Sequence, residues 1–532
     1  MFAQKAARSV VEVQPNINNP ADAAVLLECL GYQIETLAQH GFEDFHDLAS
    51  HICKFLDVYE IRQKNSEFYL NTFSEEIPKV SKRIKESLGF IFPWIGSTAM
   101  LFLTGVSLWM AIGFPIKTTT AFVLGVFLGI IITAGTLQVF DRLFLYYYEQ
   151  LNLSEVKRLM KRSYYMTAMV LLAATGIICL VGYVEKISFH LLTLTIISMV
   201  TVALHRASYM IIYALKKVYT LLAAYSLAFT VLLSVYYFGQ NFIQSGITRY
   251  FAGLVLAFVI LSVFSIYQHY KMLRHSKTIL SDVPHFYKPA AVTKKTLSSR
   301  FSIQLWESIP GSVYGVVYFV MMFSDRLLSW MYNPVHLKEN FGLPMAFNAT
   351  YHIGADTALM VLMPATVIQY VIMMPMHIQI NNICVKTTIS QQDVVNSFIR
   401  GIYRKVIIVS LVTSLVIAGI LNFFVPDMMM HSGVGQTSIQ ILRIASVANI
   451  LMCIFTANSI FLAWLNKTKF LLGITILSSV IVLANGILSD HAQLQNLTLG
   501  YLAACAFAAV VSTIYTRKIL NRASNIFFAR SF

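Results

Sequence analysis

The sequence predicts an all-α, polytopic membrane protein with about twelve transmembrane helices in two six-helix lobes and a short helical N-terminal segment. Three observations predict it. Hydrophobic residues make up 57% of the 532 and charged residues only 12%, about half the charge of a soluble domain. Mean hydropathy is +0.65. From Leu88 onward, twelve apolar stretches are each long enough to cross ~30 Å of hydrocarbon. They cover 88–112, 118–140, 163–184, 187–206, 217–239, 249–269, 303–331, 355–377, 403–425, 439–465, 468–488 and 497–516. Junctions such as Glu185–Lys186 and Asn466–Lys467 are so short that neighbouring spans must run antiparallel.

Residues 1–87 form the one segment with soluble character. Asn19-Pro20 supplies an N-cap and first-turn pair, which predicts a helix through about Ala38 with Leu26, Leu27, Leu30 and Ile34 on one face. A second helix is predicted over 43–58, with Phe45, Leu48, Ile52 and Phe55 in register. The segment lacks an early apolar run with a cleavage site, so no signal peptide is expected. It is too short for an enzyme domain and reads as a docking surface or a packed cytoplasmic cap.

The membrane part divides into a first lobe at 88–270, a cytoplasmic linker at 271–302, a second lobe at 303–516 and a tail at 517–532. Pro284, Pro289 and the Lys294–Lys295 pair mark the linker. A six-plus-six division is what transporters built from structural repeats show.

Charge sets the orientation. The net charge of +15 would suit nucleic acid only if it formed a patch on a folded surface. Here the basic residues fall in short segments between apolar runs. With the N-terminus in the cytoplasm, 34 of the 40 Lys and Arg lie on the inner side, the asymmetry expected of cytoplasmic loops. Both termini are therefore expected in the cytoplasm, and the basic loops to face anionic lipid headgroups.

The chain carries no Walker A loop, G-x-S-x-G or H-E-x-x-H, the motifs of ATP hydrolysis and of hydrolase or metalloprotease chemistry. Its six cysteines (Cys29, Cys53, Cys179, Cys384, Cys453, Cys505) have no paired spacing. No enzymatic activity, cofactor, metal or nucleic-acid partner is expected.

The candidate residues lie in the seventh span. Glu307, Gly311, Tyr314, Tyr318 and Asp325 fall on one helical face, because eighteen residues make close to five turns. Ionisable groups inside a span usually face a bundle interior or a watery cavity, and tyrosines between them suit sugars or other amphipathic cargo. At the ends of the span, the carboxylates could equally be interfacial and the tyrosines packing. Arg206, which closes the fourth span beside His205, could receive an anionic cargo group or simply snorkel to the interface. Asp141–Arg142 reads as a local ion pair or loop anchor, Pro364 as a kink in the eighth span, and Met373, Met374 and Met376 as packing.

Four strings resemble the Pel exopolysaccharide transporter family (PelG-like), within the MOP/MATE flippase superfamily. They are Phe92-Pro93-Trp94; Thr133-Ala134-Gly135-Thr136-Leu137-Gln138 followed by Asp141-Arg142-Leu143; Ser324-Asp325-Arg326-Leu327-Leu328-Ser329-Trp330; and Asp356-Thr357-Ala358 leading to Pro364. The chain departs from the family pattern where Arg326 replaces a lysine, Ser329 replaces a phenylalanine and the glycine before Pro93-Trp94 is missing. The resemblance spans roughly 88–488. It implies a MATE/flippase-like bundle in the bacterial cytoplasmic (inner) membrane, exporting a polysaccharide or lipid-linked glycan by alternating access. It also implies a cytosolic glycosyltransferase and membrane subunits as partners, and adds Arg326 and Trp330 to the cavity candidates. A small-molecule or drug antiporter on the same fold, and a non-transporting membrane scaffold, are the alternatives.

The orientation has a direct test. Single cysteines placed in 332–354 or 426–438 should react with an impermeant thiol reagent on intact cells, and those in 271–300 only after permeabilisation. The opposite pattern would overturn the assignment of both termini to the cytoplasm.

Overall fold

In the computed structural model, the described residues are 2–13, 19–58, 80–108, 114–149, 153–214, 218–282, 294–337, 342–373, 376, 379–380, 383, 392–431, 434–488 and 493–523. The regular elements are helices. The chain divides into two compact units. One gathers Met1–Lys79, Ile372–Arg404 and Lys518–Phe532, the other Val80–Val371 and Lys405–Arg517.

The smaller unit begins with α1 (Phe2–Val13), α2 (Pro20–Cys29), α3 (Ile34–Gln39) and α4 (Phe45–Val58). Asn19 caps α2, its side chain accepting from the Ala21 amide at 3.1 Å, with Pro20 in the first turn. The helix stops at Cys29 rather than running on to Ala38. Gly31 takes φ +83°, and the amides of Gly31 and Tyr32 return to the carbonyls of Glu28 and Leu27, a glycine-closed helix end. Leu26 and Leu27 therefore enter the core with Ala6, Val10, Leu48 and Ile52, whereas Leu30 and Ile34 are exposed. The expected single apolar face is broken by that turn. Phe45 packs against this core, and the Phe55 side chain lies outside the described residues.

The larger unit holds the membrane helices. The first half comprises α5 (Val80–Thr104), α6 (Ile116–Glu149), α7 (Leu153–Val184), α8 (Phe189–Ala214), α9 (Val218–Phe238) and α10 (Gly246–Asp282). The second comprises α11 (Lys294–Met331), α12 (Ala349–Ala358), α13 (Leu362–Met373), α14 (Gln392–His431), α15 (Gln436–Trp464), α16 (Thr468–Leu488) and α17 (Leu494–Leu520). α14 starts within the smaller unit and continues into the larger. Among the described residues, ten helical segments are by themselves long and apolar enough to cross a membrane. α5 and α11 fall short of that measure. In α5 the apolar run is confined to Ile91–Leu101, and in α11 Glu307 and the Asp325–Arg326 pair bracket the apolar middle.

The helices overrun the boundaries that hydropathy draws. α5 begins at Val80, inside the segment assigned to the N-terminal unit. Both ends of the expected 271–302 linker are helical, since α10 runs to Asp282 and α11 starts at Lys294; Pro284 and Pro289 lie outside the described residues. Hydropathy locates the lipid-facing middle of a helix, whereas backbone hydrogen bonding carries the helix onward into water. The eighth span is interrupted where expected. A 3₁₀ turn, Leu359–Val361, separates α12 from α13, because Pro364 lacks an amide and its ring crowds the carbonyl four residues earlier.

Two of the tight junctions end their helices in the left-handed region without glycine. Lys186 has φ 52° and Asn466 φ 59°. In each, the next two-bond cap forms: Ile187 N to Gly182 O at 2.9 Å and Lys186 N to Tyr183 O at 3.3 Å, then Lys467 N to Leu462 O at 2.7 Å and Asn466 N to Ala463 O at 3.0 Å. Asparagine tolerates this conformation and lysine does not, at a cost of ~1 kcal/mol. Lys186→Gly should therefore raise the thermal midpoint of the detergent-solubilised protein by a degree or more, and Asn466→Gly should change it less. Equal shifts would show that backbone strain is not what distinguishes the two turns.

Candidate functional site

The two halves meet where α6 crosses α11. A Cβ on Gly315 would lie 2.7 Å from Gln138 Cγ and 3.0 Å from the Ala134 carbonyl oxygen; one on Gly135 would lie 2.7 Å from Ser312 Oγ. Small residues at such a crossing let the backbones approach closely. The Thr133–Gln138 string thus forms half of the contact, and α11 the other half.

Beside the crossing lies a cavity of about 430 Å³. Gln138, Arg206 and Tyr209 line it from the first half, and Tyr314, Tyr318 and Phe319 from the second. Arg206 ties the two sides together. Its guanidinium donates to the Ile130 carbonyl at 2.6 Å and to Thr133 Oγ1 at 3.3 Å, and sits 5.2 Å from the Phe319 ring centroid. A cation over an aromatic face is worth ~0.5–2 kcal/mol, more when desolvated. α8 continues two turns past Arg206, to Ala214, and the Arg206 guanidinium engages the neighbouring helix α6. His205, one residue earlier, faces its own half and pairs with the Tyr225 hydroxyl at 2.6 Å.

At one end of the α6–α11 crossing, aromatic rings seal the halves together. Phe127 of α6 stacks on Phe323 at 4.2 Å between centroids and on Trp330 at 5.6 Å. Nearby, the Phe347 amide donates to Thr120 Oγ1 at 2.9 Å. Both contacts join an element of the first half to one of the second.

A second polar group lies within the second half. Asp325 and Arg326 are 0% and 1% exposed. Arg326 donates through NH1 to Asp325 Oδ1 at 3.1 Å and through Nε to Asp356 Oδ1 at 2.8 Å. The Tyr351 hydroxyl donates to Asp325 Oδ2 at 2.7 Å, and Thr498 of α17 donates to the Tyr351 oxygen at 3.3 Å. Trp330 Nε1 donates to His352 Nε2 at 2.8 Å. Indole nitrogen is a donor only, so His352 must accept there and carry its proton on Nδ1, from which it donates to Asp356 Oδ2 at 2.7 Å. A histidine fixed in this way is neutral. Two carboxyl groups thus share one guanidinium, and only the Asp356 side chain is substantially exposed, at 45%.

The seven residues singled out in the sequence therefore fall into three environments. Arg206, Tyr314 and Tyr318 line the cavity. Asp325, Arg326 and Trp330 belong to the buried group. Glu307 is exposed and lies outside the cavity lining. The face expected to line one cavity from Glu307 to Asp325 is eighteen residues, ~27 Å, of helix, and of its ionisable and aromatic members Tyr314 and Tyr318 line this cavity. Sequence reasoning passed over His352 and Tyr351, although His352–Asp356 at i,i+4 in a span was a readable signal. It also passed over Phe319, which only the crossing brings to Arg206. For Asp141 and Arg142 the side chains lie outside the described residues. Asn348, in one of the chain's three N-x-T sequons, is buried and caps α12 by accepting from the Tyr351 amide at 3.2 Å.

No protein-family model and no curated protein matches the sequence. Solved structures do match in fold. One is an outward-facing multidrug resistance MATE family transporter of the MOP superfamily, with TM-score 0.57 and 13% identity over 84% of this chain and 97% of that one. Another is a MATE protein in complex with MaD3S, with TM-score 0.58 and 13% identity over 84% and 98%. The inward-facing MATE structure gives 0.51 and 13% over 86% and 99%. The chain is thus a multi-pass, all-helical membrane protein with the MATE fold. The narrower resemblance to Pel exopolysaccharide transporters has no support from these comparisons.

Two substitutions probe this arrangement. Gly315→Val should force the α6–α11 crossing apart at a cost of ~1–3 kcal/mol, read as a lower thermal midpoint. Arg326→Gln strands the fully buried Asp325 carboxylate and removes a partner of the half-exposed Asp356, and should cost more, ~3–5 kcal/mol. A smaller loss for Arg326→Gln than for Gly315→Val would show that the charged group is dispensable to the second half.

Proposed function

We propose that the chain is a transporter that exports a glycan, free or lipid-linked, by alternating exposure of the cavity between its halves. One observation carries this reading: the cavity places the rings of Tyr209, Tyr314, Tyr318 and Phe319 beside the Gln138 amide and the Arg206 guanidinium. Flat aromatic faces pack against sugar rings, while amide, hydroxyl and guanidinium groups bond hydroxyls or an acidic sugar. At about 430 Å³ the cavity holds a few units at a time, so a polymer would pass through it rather than be enclosed.

A non-transporting scaffold accounts poorly for a cavity at the meeting of two halves that carries Gln138, Arg206 and three tyrosines. A drug antiporter is the second reading, because the matching structures include multidrug transporters and the cavity falls within the ordinary size range of small-molecule sites. The aromatic seal at Phe127, Phe323 and Trp330 suits either reading as a barrier that must part for cargo to leave. In the glycan reading, the smaller unit would receive a cytosolic glycosyltransferase, with both termini in the cytoplasm of a bacterial inner membrane.

Tyr318→Ala should lower glycan export per folded molecule at least tenfold, with insertion and yield near normal, whereas Glu307→Gln should leave it unchanged. Export is read as labelled oligosaccharide accumulating in inverted vesicles, in parallel with a fluorescent organic cation. Transport of the cation alone favours the antiporter. Equal export by wild type and Tyr318→Ala would remove the cavity from the cargo path.

A further inference from the structure

A second concavity, of about 340 Å³, lies between α15 and α17, lined by Gln440, Arg443, Ile444, Gln495, Asn496 and Leu499. It is not continuous with the central cavity, which α15 lines farther along, through Thr456, Ser459, Ile460 and Ala463. Thr456 and Ala463 lie roughly 140–160° round the helix axis from Arg443, so the two concavities occupy different faces of α15.

The depth of Arg443 is informative. α15 has 29 residues and is ~43 Å long, about the thickness of hydrocarbon plus both interfacial regions. Arg443 is seven residues from Gln436, ~10 Å in, and so just below the level of the headgroups. One turn deeper on the same stripe, Val447 is 49% exposed, and on α17 Leu499 is 46% exposed. Apolar side chains exposed at that depth face acyl chains.

Arg443 is itself exposed, and among the described residues it has no hydrogen-bond or ion-pair partner. Among the described residues, no carboxylate lines the concavity. A guanidinium at this depth is costly unless an anion or water meets it. Arginine is suited to bidentate recognition of phosphate, and the amides of Gln440 and Gln495 stand on the same rim.

We infer that this concavity binds the phosphodiester headgroup of one anionic phospholipid, with Arg443 on the phosphate and the acyl chains along Val447 and Leu499. The occupant is a lipid rather than a free anion because the deep wall is apolar. It is anionic because the charged side chain lining the concavity, among the described residues, is the Arg443 guanidinium. On the orientation set by the basic loops, the lipid belongs to the outer leaflet. Such a lipid would wedge between the helix that lines the cargo cavity and the one whose Thr498 holds Tyr351.

The test uses the full-length protein in an uncharged detergent. Adding phosphatidylglycerol should raise the thermal midpoint saturably, and native mass spectrometry should show one tightly retained phosphatidylglycerol. Arg443→Gln should lose both effects while its midpoint without lipid matches wild type, and Arg443→Lys should weaken retention several-fold. Leu499→Trp, which fills the groove and leaves the arginine in place, should also abolish retention and keeps the test informative if Arg443→Gln folds poorly. An equal response to phosphatidylcholine would overturn the anionic assignment. An equal response to inorganic phosphate would overturn the lipid assignment, and undiminished retention by both Arg443→Gln and Leu499→Trp would overturn the site.

Discussion

The close crossing of α6 and α11 is the constraint on which the rest of the arrangement depends. With hydrogen in place of a side chain at Gly135 and Gly315, the two backbones approach until any Cβ would collide with a carbonyl or a neighbouring side chain. Little hydrophobic force drives helices together in lipid, so contact distance governs how much dispersion the interface gains. That distance brings Phe319 over Arg206 and Phe127 against Phe323. It also leaves, to one side, the cavity shared by both halves. The halves are otherwise built on separate helices, and the polar groups that could serve cargo come from both.

Polar side chains in the membrane region follow a consistent pattern. The buried charged group of the second half is internally satisfied: Arg326 bridges two carboxylates, Tyr351 supports one and His352 the other. Trp330 holds His352 in one tautomer, so the aromatic seal and the charged group share a side chain. Trp330 also stacks on Phe127 of the other half.

Hydroxyls elsewhere turn back on their own helices. Ser414, Ser446 and Thr475 each donate to the carbonyl one turn earlier, which satisfies them without a partner helix. Such residues keep the helices soluble in one another without marking a site. This explains why the abundance of Ser and Thr in the spans carried no functional information, whereas Arg206, Asp325 and Arg326, which cannot satisfy themselves locally, did.

The sequence by itself determined the all-helical membrane class, the apolar middles of the helices, the interruption near Pro364 and the tight turns at Lys186 and Asn466, and it singled out Arg206, Tyr314 and Tyr318 as candidates. These features depend on local hydropathy, on proline's missing amide and on the cost of charge in lipid, all legible over one or two turns of chain. Tertiary structure decided which of the candidates meet. Asp325 shares a helical face with Tyr318 yet lies in a different environment, and Asp356 reaches Arg326 across thirty residues of chain. The end of α2 at Gly31, which leaves Ile34 outside the core, was likewise a matter of one backbone dihedral overriding an apolar period. Periodicity assigns a direction around a helix axis, but not the depth along it or the neighbour encountered there. Those follow only from how the helices cross.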